Sequence, residues 1–157
     1  MRIFLLQAWR ILPLWLQVVL SRIIRPLFQV FAAAVIFNED NKILLVKLTY
    51  QRFHPWGLPG GGLDYSEIPE DAVVREVLEE TGLEIGIEKL LLVKTWRLDK
   101  VGLYYLCKIN GGVFQPSDEV SEYGYFTLDD LPDVRTYDID LIKQLPTLVN
   151  SFENELA

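Results

Sequence analysis

The residues best suited to chemistry in this sequence are three glutamates that lie close together on one predicted helix. Glu76, Glu79 and Glu80 follow a run of glycines and precede the pair Thr81-Gly82. At about 100° per residue, the three carboxylates fall on one face of a helix, where they repel each other unless cations compensate them. Carboxylate oxygens are the ligands that Mg²⁺ and Mn²⁺ prefer. The pattern therefore predicts a metal site for phosphate chemistry, and the alternative is a solvated acidic face.

The helix that must position these glutamates is predicted to begin near Ser66 and to end at Gly82. Ser66 supplies a capping hydroxyl, an acid follows it in the first turn, and Pro69 suits the first helical position. Glycine after Thr81 is a typical helix stop. The side chains predicted to cover the opposite face are Val73, Val77 and Leu78, while the small Ala72 shares the glutamate face.

The spacing of the whole stretch resembles the signature of the Nudix hydrolases. Five residues separate the first glycine of that signature from its first glutamate, and seven more precede an Arg-Glu pair. The nine matching positions are Gly61, Glu67, Arg75, Glu76, Val77, Glu79, Glu80, Gly82 and Leu83. Many fixed residue types at fixed offsets make this a specific signal. The resemblance implies an α/β fold, the Nudix-type α/β/α sandwich with a mixed β-sheet.

The resemblance also implies which groups hold a metal ion. Glu76, Glu79 and Glu80 would bind Mg²⁺ or Mn²⁺, and the backbone carbonyl of Gly60 would join them. Such cations act as Lewis acids on phosphoryl oxygens and lower the pKa of bound water. The expected reaction is attack by water on one phosphorus of a phosphoanhydride.

Further residues receive supporting roles from the same resemblance. Arg75 would orient Glu79, and Glu67 would belong to the surrounding charge network. Nudix enzymes often draw another glutamate from a loop before an aromatic strand, and Glu119 fits that position. The general base would be either a glutamate of the motif or Glu119, and the sequence leaves this choice open.

The substrate implied by the resemblance is a small nucleoside diphosphate-linked compound. ADP-ribose or another nucleotide-linked sugar, and a nucleoside triphosphate, both stay possible as substrates. The proline of many ADP-ribose hydrolases and the tyrosine of many dinucleoside polyphosphate hydrolases are both missing, because Leu98 and Asp99 occupy their places. The alternative function is a noncatalytic Nudix-fold module that senses a nucleotide, recruited to a membrane through residues 1–30. Noncatalytic members often lose motif glutamates, whereas all of them are intact here, which favours an enzyme.

Composition limits the class of protein and its partners. The chain has 157 residues, which is typical of one domain, and a net charge of −7, which argues against binding nucleic acid polymers. Residues 1–30 contain four arginines and no acid, so they carry +4 and the remaining residues carry −11. A single cysteine, Cys107, cannot form an internal disulfide, which fits the reducing cytoplasm.

Residues 1–29 are predicted to form an amphipathic helical extension before a catalytic domain at 30–157. Pro13 divides it into one bent helix or two helices. Its longest uncharged run has 11 residues, whereas a transmembrane span needs about 20. The extension would therefore pack on its own domain or on a second subunit, or lie on a membrane surface with Trp9 and Trp15 at the interface, or serve as a signal anchor.

The rest of the chain reads as strands around the helix. Residues 31–37 and 43–49 are predicted to pair as a hairpin, and the remaining elements are strands at 88–98, 101–109 and 123–127 and a helix at 137–152. Most aromatics after the motif are predicted to be core, with one or two free to stack on a base. His54, the only histidine, is predicted to be structural or at most to touch the edge of a substrate.

Overall fold

The computed structural model describes residues 9–24, 28–96, 99–134 and 136–155. The elements, in chain order, are α1 (Leu14–Ile24), β1 (Gln29–Ile36), β2 (Ile43–Leu48), β3 (Trp56–Gly57), β4 (Gly60–Gly62), α2 (Pro69–Thr81), β5 (Leu83–Trp96), β6 (Lys100–Gly112), β7 (Val120–Phe126) and α3 (Thr136–Glu155). The strand predicted at 88–98 begins earlier in the structure, where β5 starts almost directly after α2.

The strands form one mixed sheet and one antiparallel sheet. In the first, with the order β4-β1-β6-β5, β1 runs parallel to β6 and antiparallel to β4, while β5 and β6 form a long hairpin. The second sheet has the order β3-β2-β7, with β2 antiparallel to both neighbours. The mixed sheet is as predicted.

The predicted hairpin between the first two strands is wrong. Phe37 and Ile43 form a single isolated bridge, after which β1 and β2 diverge into different sheets. Asn38 turns the chain here, because its Oδ1 accepts hydrogen bonds from the backbone N–H groups of Asp40 and Lys42. Both strands are buried along most of their length, so each needs partners on both edges, which come from distant segments.

The core consists of two hydrophobic clusters, and successive side chains of β1 belong to them in alternation. Ala32, Ala34 and Ile36 belong to the first cluster, and Ala33 and Val35 belong to the second. The helical side chains of the first cluster are Ala72, Val73 and Val77 of α2, and those of the second are Leu141, Ile142 and Leu145 of α3. Full burial stabilises each large aliphatic side chain in its place by about 1.5–3 kcal/mol. The α/β/α sandwich is therefore confirmed, with α2 held rigidly against the mixed sheet.

The helical segment before β1 is interrupted at Pro13, in agreement with the alternative of two separate helices. The described residues before Pro13 are helical up to Ile11, the chain bends at Leu12, and α1 begins at Leu14. Among the residues that the structure describes, none from α1 belongs to either core cluster. None of the described helices is long and apolar enough to cross a membrane.

Candidate active site

Helix α2 carries the motif glutamates, and its first turn differs from the prediction. Ile68 is the N-cap and Pro69 the first helical residue, without any side-chain cap. The predicted capping by Ser66 is wrong, because Ser66 lies in a preceding turn with a left-handed φ of 67°. Glu67 closes that turn, since its Oε2 accepts a hydrogen bond of 2.8 Å from the backbone N–H of Asp64. The helix ends as predicted at Gly82, whose φ is 72°.

Glu76 reaches from α2 to the glycine strand β4. A Cβ added to Gly61 would lie 2.5 Å from Cδ of Glu76, so the carboxylate rests directly against the glycine backbone. The Glu76 side chain is only 18% exposed. Only glycine at position 61 leaves room for this contact, whereas a Cβ on Gly62 would meet nothing within 4 Å.

Glu80 contacts the preceding residue of the same strand. Its Oε2 accepts a hydrogen bond of 2.9 Å from the backbone N–H of Gly60, and the residue is 5% exposed. Burial raises the pKa of Glu80 to about 8, and the charges of Glu76 and Glu119 add to this shift, while the hydrogen bond from Gly60 opposes it. A buried carboxylate in an acidic neighbourhood gains stability from a bound cation.

Arg75 ties the remaining acids of the motif together. Its Nε and Nη2 donate to the two carboxylate oxygens of Glu67 at 2.8 and 2.9 Å. Nη1 donates to Glu76 at 2.9 Å and to Glu79 at 3.2 Å, and Nη2 also donates to the carbonyl of Gly62 at 3.2 Å. The hydrogen bonds from Arg75 are the main cause that lowers the pKa of Glu67 to about 2. The predicted contact with Glu79 and the predicted charge network of Glu67 are both present.

A loop before β7 closes the other side of these glutamates. The cavity between them has a volume of about 230 Å³ and is lined by Glu76, Glu79, Glu80, Ser117, Asp118 and Glu119. Thr49 at the end of β2 holds the loop, because its backbone N–H donates to the carbonyl of Glu119 at 2.8 Å. Its hydroxyl donates to the carbonyl of Asp118 at 2.6 Å. The structure therefore brings Glu119 beside the motif, while Ser117 is a lining residue that the sequence did not indicate.

The donor set of this cavity fits a hard divalent cation. Across residues 9–24, 28–96, 99–134 and 136–155, no three acidic, cysteine or histidine side chains converge closely enough to hold an ion as they stand. Glu76 and Glu79 bond to Arg75 instead. The lining nevertheless offers carboxylate oxygens around a space large enough for ions and water, and no described cationic side chain donates a hydrogen bond to the buried Glu80.

A much larger groove begins at the same glycines. Its volume is about 1470 Å³, and Gly60 and Gly61 lie on its wall. The aromatic side chains that line it are Phe28, Phe31, Tyr50, Tyr65, Trp96 and Tyr104. Trp96 Nε1 donates to the hydroxyl of Tyr104 at 2.6 Å, which fixes both rings. These residues come from separate segments, so no local sequence pattern indicates the groove.

His54 has a partner that the sequence did not reveal. Its Nδ1 lies 2.6 Å from Oδ1 of Asp133, and its backbone N–H donates to Oδ2 of the same side chain at 3.2 Å. The residues that line the small cavity and the large groove do not include His54. These contacts support the structural interpretation of this histidine.

Comparisons with known proteins agree with this geometry. The family model described as the NUDIX domain matches residues 27–146. A MutT-like protein from Streptomyces ambofaciens is 35% identical over 124 residues, which cover 78% of this chain and 79% of that protein. An ADP-ribose pyrophosphatase from Methanocaldococcus jannaschii is 36% identical over 103 residues, or 62% of this chain and 61% of that protein. The crystal structure of an ADP-ribose pyrophosphatase from Streptococcus suis has a TM-score of 0.65 at 34% identity, covering 78% of this chain and 90% of that one.

Proposed function

The chain belongs to the Nudix family and is a Nudix pyrophosphohydrolase, and we propose that it uses Mg²⁺ or Mn²⁺ to hydrolyse a nucleoside diphosphate-linked compound. The observation that carries this proposal is the placement of two motif carboxylates on consecutive glycines. Glu80 bonds to Gly60 and Glu76 rests on Gly61, so two carboxylates that line the acidic cavity contact two glycines that line the large groove. A diphosphate lying over these glycines would reach the cavity while the rest of the substrate fills the groove.

Some residues of the cavity would bind the metal ion, and another would accept a proton. Glu76, Glu79 and Glu80 would hold the cation together with the carbonyl of Gly60. The cation, when bound, supplies Lewis-acid activation of the phosphoryl oxygens and of water. Arg75 would orient Glu79 and Glu76 by the hydrogen bonds that it already donates to them.

The attacking water must give its proton to a general base. We assign this role to Glu119, which is exposed in the cavity wall and is held there through the contacts of its loop with Thr49. A general base must lie within hydrogen-bond reach of the proton it accepts, directly or through one water. A motif glutamate is the alternative base.

The groove supports a substrate that extends on one side of the diphosphate. Its volume of about 1470 Å³ exceeds the range of about 300–1000 Å³ that is usual for small-molecule pockets. The exposed aromatic rings of the groove, Tyr50 and Tyr65, offer flat surfaces for a base. ADP-ribose, the substrate named for two similar proteins, and other nucleotide-linked sugars fit this shape, with nucleoside triphosphates as the second class.

A substrate panel tests the proposal. Wild type is incubated with ADP-ribose, nucleotide sugars and nucleoside triphosphates in Mg²⁺, Mn²⁺ or EDTA, and release of nucleoside monophosphate or pyrophosphate is measured. We expect cleavage only with metal, a loss of at least about a hundredfold in Glu80→Gln, and no loss in the exposed control Glu84→Gln. If wild type cleaves nothing but binds a nucleotide as well as Glu80→Gln does, the protein is a noncatalytic sensor.

We also propose a cytoplasmic location and a second contact surface outside the catalytic domain. Cys107 is the single cysteine and is free and buried, so the chain has no internal disulfide that would need an oxidising compartment. The contact surface lies in the extension at residues 1–30, where a membrane and a second copy of the chain are the two candidate partners.

A further inference from the structure

The helix α1 turns its apolar side chains towards solvent. The exposed fractions are 83% for Ile11, 76% for Leu14, 67% for Trp15, 43% for Val18, 46% for Val19 and 74% for Ile23. At about 100° per residue, the five of these residues within α1 span half of the helix circumference. An exposed apolar surface of this kind marks a site of interaction with a partner or a membrane.

The two polar side chains of α1 that the structure describes, Gln17 and Ser21, bond to the backbone of their own segment. Gln17 donates from Nε2 to the carbonyl of Leu12 at 2.8 Å, and the hydroxyl of Ser21 donates to the carbonyl of Val18 at 2.8 Å. Gln17 and Ser21 are partly buried, whereas Trp15, Val18 and Val19 are exposed. The most exposed described side chains of α1 are therefore mainly apolar, unlike those of a usual amphipathic surface helix.

The charge of this segment identifies the kind of partner. Residues 9–24 contain Arg10 and Arg22 and no acid, within a stretch of 30 residues that carries +4. Two copies of this stretch meeting face to face would bring like charges together, which disfavours a dimer through α1. An anionic surface attracts these arginines, whereas the catalytic domain, at −11, is repelled by such a surface.

We propose that α1 lies on anionic lipid bilayers, with its exposed apolar face in the interfacial layer and with Arg10, which is exposed just before the helix, next to the lipid phosphates. Trp15 lies on this face, and tryptophan is preferred at the membrane interface. The helix has 11 residues, so it lies on the bilayer and does not span it. The repelled catalytic domain then stays on the water side, which leaves the glutamate cavity open to substrate. This contact does not depend on the proposed hydrolysis.

Vesicle flotation of the full-length protein tests this contact. The vesicles consist of phosphatidylcholine alone or of phosphatidylcholine with phosphatidylglycerol, in low and high salt. We expect wild type to float with the anionic vesicles, to float much less with the neutral ones, and to be released by salt, because salt screens the arginines. The triple variant Leu14→Ser/Trp15→Ser/Ile23→Ser should bind at least about tenfold more weakly.

The matched control removes equally exposed apolar side chains elsewhere. Phe53 and Val113 are 72% and 75% exposed and line neither the cavity nor the groove, so Phe53→Ser/Val113→Ser should bind vesicles like wild type. Circular dichroism establishes that each variant is folded. If the triple variant does not fold, Arg10→Glu provides the test, since reversing that exposed charge should weaken anionic binding severalfold.

Three results would overturn the inference. The first is no flotation of wild type, or equal flotation with neutral and anionic vesicles. The second is anionic binding that neither the triple variant nor Arg10→Glu reduces. The third is a wild-type dimer, seen by light scattering, that the triple variant converts to a monomer, because α1 would then be a dimer contact.

Discussion

The backbone N–H of Gly60 donates a hydrogen bond of 2.9 Å to Oε2 of Glu80. This bond joins the end of α2 to β4, one turn beyond the point where Glu76 rests on Gly61. Gly60 cannot be replaced without strain, because its φ is 137° and a Cβ there would lie 2.7 Å from Cα of Ala33. The helix and the glycine strand therefore act as one rigid unit that fixes two carboxylates in register.

The first prediction concerns the contact between Glu76 and position 61. In Gly61→Ala the new Cβ would lie 2.5 Å from Cδ of Glu76, so the carboxylate must move, while the backbone can stay in place. We expect kcat/KM to fall by on the order of a hundredfold, since misplacing a catalytic group by about 1 Å has effects of this size. The melting temperature should change little.

Gly62→Ala is the matched control for that substitution. A Cβ at position 62 would meet nothing within 4 Å and leaves Glu76 in place, so kcat should stay close to that of wild type, and any effect of this groove-lining residue should fall on KM. Equal losses of kcat in both variants would contradict the role given to the Glu76 contact.

The second prediction is a pH dependence of stability that belongs to Glu80. Its pKa is about 8 in the folded protein, above the ordinary carboxyl value of 4.5. The folded state therefore binds this proton more tightly, so the contribution is fully present below about pH 4.5 and is lost as pH rises through 8. Glu67, whose pKa is lowered to about 2, has the opposite dependence: its contribution is present above about pH 4.5 and is lost as pH falls through 2, outside the range of Glu80.

Urea unfolding in EDTA at several pH values measures this effect. Relative to Glu80→Gln, the free energy of unfolding of wild type should fall as pH rises from about 5 to 8, by at most about 1.4 kcal/mol per pH unit. Added Mg²⁺ should restore more stability at the upper end of that range. A difference between the two proteins that stays constant with pH would refute the assignment.

The third prediction distinguishes arginine from lysine at position 75. Arg75 donates in a planar fork to Glu67 while its Nη1 reaches Glu76 and Glu79, and lysine cannot reproduce that geometry. We expect Arg75→Lys to lower kcat by about tenfold or more. Arg52→Lys, on an exposed loop arginine, should leave kcat unchanged, and a fully active Arg75→Lys would remove the orienting role of Arg75.

The fourth prediction concerns how Thr49 positions Glu119. Thr49→Val keeps the side-chain shape but removes the hydroxyl that donates to the carbonyl of Asp118. If Glu119 accepts the proton, Thr49→Val should lower kcat severalfold in wild type and have almost no further effect in Glu119→Gln. The exposed Thr127→Val serves as the control. Independent, multiplying losses of kcat would show that Thr49 does not act through Glu119.

Local chemistry made the motif helix predictable. The glycine stop at Gly82, the buried faces of Val73 and Val77, and the spacing of Arg75 and Glu79 depend on residues within a few turns. The helical period indicates which residues share a face, but it does not indicate which part of that face other elements cover. Leu78 was predicted to lie on the covered face, and it is 48% exposed. The resemblance to a known signature then supplied the fold class, which spacing alone does not contain.

Contacts between distant segments were not predictable in this way. The partner of β1 along its length is β6, and that of His54 is Asp133, each chosen by tertiary packing. The groove draws on aromatics from Phe28 to Tyr104 for the same reason. Ser66 failed as a cap because its backbone is left-handed, which residue type alone does not decide.

The most direct test of the central claim is a titration of the substrate-free protein with Mn²⁺, followed by electron paramagnetic resonance. We predict saturable binding to wild type and to Glu84→Gln, and binding at least about tenfold weaker in Glu76→Gln and in Glu80→Gln. Equal Mn²⁺ affinity in all four proteins would contradict the claim that the glutamates of α2 hold the catalytic metal.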